Sequence, residues 1–251
     1  MDKKKGKWLV YIDKRFIYII IGVFALYSII GLLSNPMALL GLLFSIPGVL
    51  IAITFHEYAH AFAADKLGDD TPRLQGRLSL NPFAHLDPVG SIMLLFAGFG
   101  WGKPVQINPR NFNRTISMSK GEAIVSAAGP IMNFILSIVF CVIYFIIYKF
   151  AGAFAVTQVG MIVLDIIKSI IAINIGLGIF NLIPLPPLDG SKILKNFLPY
   201  KAKVWMESNG YLFYIIFLVL WVLGILGAII SPLINLVGNL LMQGIGSLFG
   251  F

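Results

Sequence analysis

The chain has 251 residues, of which 58% are hydrophobic and only 12% charged, with a formal net charge of +8 and a mean hydropathy of +0.89. Soluble domains carry about 25% charged residues, so this composition excludes a soluble globular domain and indicates a polytopic membrane protein. The basic residues lie in loops between apolar segments, which reports membrane orientation and not nucleic-acid binding. A single cysteine, Cys141, excludes an intrachain disulfide and reads as a small buried hydrophobe.

The first element is an apolar run from Phe16 to Leu33, preceded by Lys3, Lys4, Lys5, Lys7, Lys14 and Arg15. It is too long for a signal-peptide core, and no small-residue cleavage site follows before Pro36. It therefore reads as an uncleaved first transmembrane helix. Further segments long enough to span a bilayer lie at 38–64, 122–148, 169–188, 211–230 and 232–249. Ser34-Asn35-Pro36 reads as a tight hairpin between the first two, and Ser231-Pro232 as a hairpin or kink between the last two. The expected fold class is an all-α polytopic membrane protein with about six transmembrane helices, or five with a re-entrant tail.

Between the second and third spans, Gly68-Asp69-Asp70-Thr71-Pro72, Asn81-Pro82, Asp87-Pro88 and Asn108-Pro109 break any helix. The apolar piece Ser91 to Trp101 is too short to span and reads as a buried loop, or as a small β-like or re-entrant element. Domain organisation follows as 1–37 (cytoplasmic tail and first helix), 38–195 (core) and 196–251 (C-terminal helices). With the N-terminus inside, seventeen basic residues fall on the cytoplasmic side against Lys149 and Lys168 on the other. That asymmetry sets the orientation.

The second span carries His56-Glu57-Tyr58-Ala59-His60. Histidines at i and i+4 share one helix face and can grip one metal ion, and a glutamate between them can act as a general base. Only three histidines and three glutamates (Glu57, Glu122, Glu207) exist in the chain, and charged groups at membrane depth usually mark function. The motif therefore reads as a zinc site with the His56–His60 end of the span towards the cytoplasm.

A catalytic zinc takes three protein ligands and an open position. His85, Glu122 and Asp189 are candidates for the third ligand. Asp189 has the best physical case, because Pro184, Pro186 and Pro187 unwind the helix before it and Gly190 permits a tight turn. Its span returns to the cytoplasmic side, at the level of the two histidines. In span three, Ser126, Ala127, Ala128 and Gly129 permit close helix approach, which packing explains as well as function does. Asn133 needs a partner inside an apolar span. Asn174 and Asn181 can supply it, or Asn133 faces the cavity and bonds to a substrate backbone. His85 reads either as a structural loop contact or as a group touching substrate.

Three linked motifs resemble the site-2 protease family of intramembrane zinc metalloproteases. They are His56-Glu-Tyr-Ala-His60, Gly129-Pro130-Ile-Met-Asn133 and Asn181-Leu-Ile-Pro-Leu-Pro-Pro-Leu-Asp189-Gly190. The stretch Asn81 to Gly90 and Gly102-Lys103-Pro104-Val105 resemble its compact bacterial branch, and the similarity covers residues 45–195. The resemblance implies that His56, His60 and Asp189 bind one zinc ion, that Glu57 is the catalytic base, and that Asn133 orients substrate or stabilises the transition state. It also implies single-span membrane proteins as substrates, cleaved in or near the bilayer of a bacterial cell membrane. Many members carry PDZ or CBS domains, and this chain shows neither. Competing readings are a transporter or regulatory binder that keeps the metal site without proteolysis, and a different membrane zincin using Glu122 or Glu207.

Overall fold

The computed structural model describes residues 30–31, 34–91 and 102–251. The first expected span, apart from residues 30–31, and its basic tail lie outside the described residues, as does nearly all of Ser91 to Trp101.

Helix α1 (Pro36–Lys66) starts where the sequence places a turn. The Asn35 side chain accepts hydrogen bonds from the Met37 and Ala38 amides, and Pro36 occupies the first turn, where a missing N–H costs nothing. Its 31 residues run past Pro47 and end at Leu67, after which Gly68 adopts φ +101°. Helices α2 (Met118–Phe150) and α3 (Gln158–Asn181) pack against α1 and each other. A Cβ on Gly48 would lie 2.8 Å from Ile173 Cδ1, so the missing side chain is what lets α1 lie close to α3. Cys141, Phe145, Ile167, Ile171 and Ile175 form the buried seam of α2 and α3, which α7 (Ile225–Phe249) covers with Val237, Leu241 and Met242.

Beyond α3 the chain unwinds through Leu182–Leu188, with a cis Pro186–Pro187 bond, and resumes as α4 (Asp189–Phe197). Helices α5 (Tyr200–Ser208) and α6 (Gly210–Val222) follow, bent by 69° at Asn209. Four described helices are long and apolar enough to cross a membrane (α1, α2, α3 and α7), or five if α5 and α6 form one broken span. The described residues are thus all-helical, and the protein is a membrane protein.

Two boundaries differ from the sequence reading. The fourth span starts at Gln158 instead of 169 and ends at Asn181, before the prolines. Asp165 and Lys168 pair along the helix at 3.4 Å, so they extend its exposed end and do not interrupt it. In the C-terminal region the break falls at Gly224, at φ +71°, and Pro232 sits inside α7. A glycine in the left-handed region stops a helix, whereas a proline removes one hydrogen bond and is tolerated in apolar helices.

The loop between α1 and α2 is compact. Asp69, wholly buried, accepts from the Thr71 amide and hydroxyl, the Asn108 amide and Asn111 Nδ2. Burial alone would raise its pKa. The hydrogen bonds from Thr71, Asn108 and Asn111 outweigh burial and hold the carboxyl below its usual range. This one carboxylate ties the segment around Asn108 to the end of α1. Arg77, also buried, donates to the carbonyls of Ala84 and, at 3.4 Å, Lys103. Of the expected β-like element, the described residues contain one antiparallel bridge, Leu86 to Gly102, and no strand.

Candidate active site

His56 and His60 project one helical turn apart from α1, about 15 Å and 9 Å along the axis from its C-terminal end. Helix α2 lies directly against them. A Cβ on Gly129 would fall 2.6 Å from His60 Nε2 and from the Cε1 atoms of both imidazoles. Only glycine fits there. Gly129, last of the small residues before Pro130, therefore makes room for the two rings, a specific role that sequence spacing left open.

Each imidazole has its inner nitrogen occupied. His56 Nδ1 lies 2.7 Å from Asn133 Oδ1, and His60 Nδ1 lies 2.7 Å from the Val125 carbonyl. Both partners accept, so each Nδ1 carries the proton and each Nε2 presents a lone pair. Those two Nε2 atoms sit 3.0 Å apart, and Asp189 Oδ2 lies 3.2 Å and 3.0 Å from them. Three lone-pair atoms thus converge in a buried triangle. A cation resolves that repulsion. Ligand atoms at about 2.0–2.1 Å from a tetrahedral zinc are separated by about 3.3 Å, close to the observed edges. Two imidazoles and a carboxylate also match the donor set of catalytic zinc, and the residues present fit the ion.

Asp189 reaches this point because the proline segment reverses the chain and makes it the first residue of α4, where the helix dipole favours a carboxylate. A Cβ on Gly190 would overlap the carbonyls of Leu182 and Ile183, so the turn demands glycine there too. Lys192, one turn on, places Nζ 3.5 Å from Asp189 Oδ1, the oxygen turned away from the histidines.

A cavity of about 320 Å³ opens onto the triangle, lined by Glu57, Ser126, Asn181, Lys192 and apolar side chains including Phe180 and Phe217. Glu57 is partly exposed to it, and its Oε2 accepts from the Val105 amide at 3.1 Å. Gly102, Pro104, Val105 and Ile107, from the non-helical segment before Pro109, form one wall. The Val105 amide and the Lys192 ammonium were not foreseen. A main-chain donor leaves no trace in residue type, even within the Gly102-Lys103-Pro104-Val105 stretch that carries the family resemblance.

His85 and Asn133 do not line the cavity. His85 is fully buried, with Nε2 2.6 Å from the Ser79 carbonyl. Asn133 is fully buried too, its amide shared among His56, the Ala52 carbonyl and Asn174, so the expected Asn174 partnership is present. Glu122 and Glu207 lie outside the triangle.

Residues 147–223, which include the proline segment and Asp189, match the family model of Peptidase family M50. This chain belongs to that family, and it is a membrane zinc metallopeptidase. YwhC of Bacillus subtilis, provisionally named a zinc metalloprotease, is 39% identical over 188 residues, which cover 74% of this chain and 84% of that protein. Rip2 of Mycolicibacterium smegmatis and Rip2 of Mycobacterium tuberculosis, named in the same terms, are 30% and 29% identical over 62% and 68% of this chain. The chain spans 58% and 64% of their respective lengths. No solved structure gives a significant match. The resemblance to site-2 proteases read from the motifs is borne out.

Proposed function

We propose that this chain hydrolyses peptide bonds of single-span membrane proteins within or beside the bilayer, with His56, His60 and Asp189 holding one zinc ion and Glu57 as general base. The observation that carries this reading is that the donor triangle and Glu57 line one cavity, with both histidines and Glu57 on a helix of membrane-spanning length. Bound zinc would supply Lewis-acid polarisation and a water of lowered pKa. Glu57 takes the proton from the attacking water and returns it to the leaving amine. Its tie to the Val105 amide keeps the carboxylate turned to the cavity.

A substrate helix must unwind before its amides can be attacked. The non-helical wall from Gly102 to Ile107 offers a surface on which a strand could be held, with Val105 and Ile107 lining the cavity. The chain is read as six spans, including one within residues 1–37, a core at 38–195 and C-terminal helices at 196–251. The N-terminus and the active-site end of α1 face the cytoplasm of a bacterial cell, in keeping with the distribution of lysine and arginine.

The test is cleavage of a panel of single-span membrane proteins in detergent with zinc. Glu57→Gln should keep stoichiometric zinc and lose about 10²–10⁴ in rate. His56→Ala and Asp189→Asn should lose zinc. Cleavage by Glu57→Gln at the wild-type rate would refute the mechanism, and zinc-loaded wild type inert on every substrate would favour a binder or transporter.

A further inference from the structure

We infer that Asn174 and Asn133 form an amide relay that fixes the proton of His56 on Nδ1 and so directs Nε2 to the metal centre, an inference that rests on His56 being a zinc ligand. Neither asparagine lines the cavity, and both are 0% exposed, so their chemistry is directed inward. An asparagine amide has nearly the same shape either way round, and only its partners decide which end is oxygen.

Here two main-chain carbonyls decide. Asn174 Nδ2 donates to the Ile170 carbonyl at 2.9 Å, because a carbonyl can only accept. That leaves Asn174 Oδ1 facing Asn133, which must answer with its NH2 at 2.9 Å. The second N–H of Asn133 donates to the Ala52 carbonyl at 3.1 Å. Both donors of Asn133 are then spent, and its Oδ1 meets His56 Nδ1 at 2.7 Å. An acceptor at that position requires the proton on Nδ1. Turning the Asn133 amide over would set its oxygen against two acceptors, the Ala52 carbonyl and Asn174 Oδ1, in a dry interior where unmade hydrogen bonds are costly.

His60 gains the same tautomer from the Val125 carbonyl in one step. His56 meets a side chain instead, and the side chain must itself be oriented. Asn174 is thus a positioning residue on α3 for a ligand on α1, acting only through Asn133 on α2. It binds the three central helices into one polar unit at the level of the metal site.

The experiment uses full-length protein in detergent, with zinc affinity from chelator competition and ¹⁵N histidine spectra of the zinc-loaded protein, whose three histidines are readily assigned. In wild type, His56 should coordinate through Nε2 and keep a proton on Nδ1. Asn133→Leu should weaken zinc binding by about 10- to 100-fold, and Asn174→Leu by about threefold or more. The double variant should bind no more weakly than Asn133→Leu alone, since the second residue acts only through the first. Independent losses that multiply would overturn the relay, as would zinc affinity within about twofold of wild type in both single variants. Coordination of wild-type His56 through Nδ1 would overturn it without any variant having to fold. Unchanged zinc affinity in His56→Ala would instead refute the metal-site reading beneath it.

Discussion

A methyl group at position 129 should damage zinc binding more than it damages the fold. Built on Gly129, the new Cβ falls 2.6 Å from His60 Nε2 and from both Cε1 atoms, whereas carbon contacts are comfortable only from about 3.5 Å. The rings must therefore retreat by roughly 1 Å. The donor triangle has edges of 3.0–3.2 Å, so this shift is about a third of an edge and cannot be absorbed without changing the site. Overpacking of this kind costs about 1–3 kcal/mol. Met by the rings when they return to hold the ion, that cost corresponds to a loss of about 5- to 150-fold in zinc affinity. Alanine also raises helix propensity by about 1 kcal/mol over glycine, so the melting temperature of the metal-free protein should change little. Chelator competition on Gly129→Ala, alongside thermal unfolding followed by circular dichroism, measures both effects. Zinc affinity within about twofold of wild type would refute the claim that Gly129 exists to seat the imidazoles.

Removing zinc with a chelator should abolish peptide-bond hydrolysis and restoring it should recover activity, while helix content stays constant because the helices are packed through apolar seams. Val105→Pro deletes the amide that holds Glu57, and should lower kcat by about 10-fold or more with zinc content unchanged; loss of zinc would show instead that the loop supports the ligands. Asp69→Asn sets an NH2 against the Asn108 amide and should destabilise the loop by about 1–3 kcal/mol, read as faster proteolysis near Asn108. The sign of the pH effect follows from the lowered Asp69 pKa. Its contribution is complete above the unfolded carboxylate value of about 3.9 and is lost as pH falls through the lower folded value, so loop protection should be flat from neutrality to about pH 5.

The described spans and the candidate metal ligands were legible because both rest on local pattern. An apolar run of sufficient length has few fates besides crossing a bilayer, and His56 and His60 share a helix face by spacing alone. Asp189 could be nominated because three prolines announce an unwound segment. Helix ends were less legible. The C-terminal break sits at Gly224 and not at Pro232, because a glycine's φ is chosen by its surroundings, whereas proline's is fixed and therefore conspicuous. Helix α3 begins at Gln158, before the apolar run that starts at 169, and carries Asp165 and Lys168 paired on its exposed face.

What the sequence determined by itself was composition-driven and short-range: a helical membrane protein, a two-histidine grip with a glutamate between, and a carboxylate on a broken helix. Only the tertiary structure decided how these groups are oriented. Gly129 against the imidazoles, the Val125 carbonyl on His60, the Val105 amide on Glu57 and the Asn174–Asn133–His56 chain all join residues far apart in sequence. Two of those partners are backbone atoms, which every residue type carries and no sequence pattern reveals. The direction of each hydrogen bond, and with it the placement of the histidine protons, exists only once α1, α2 and α3 are packed together.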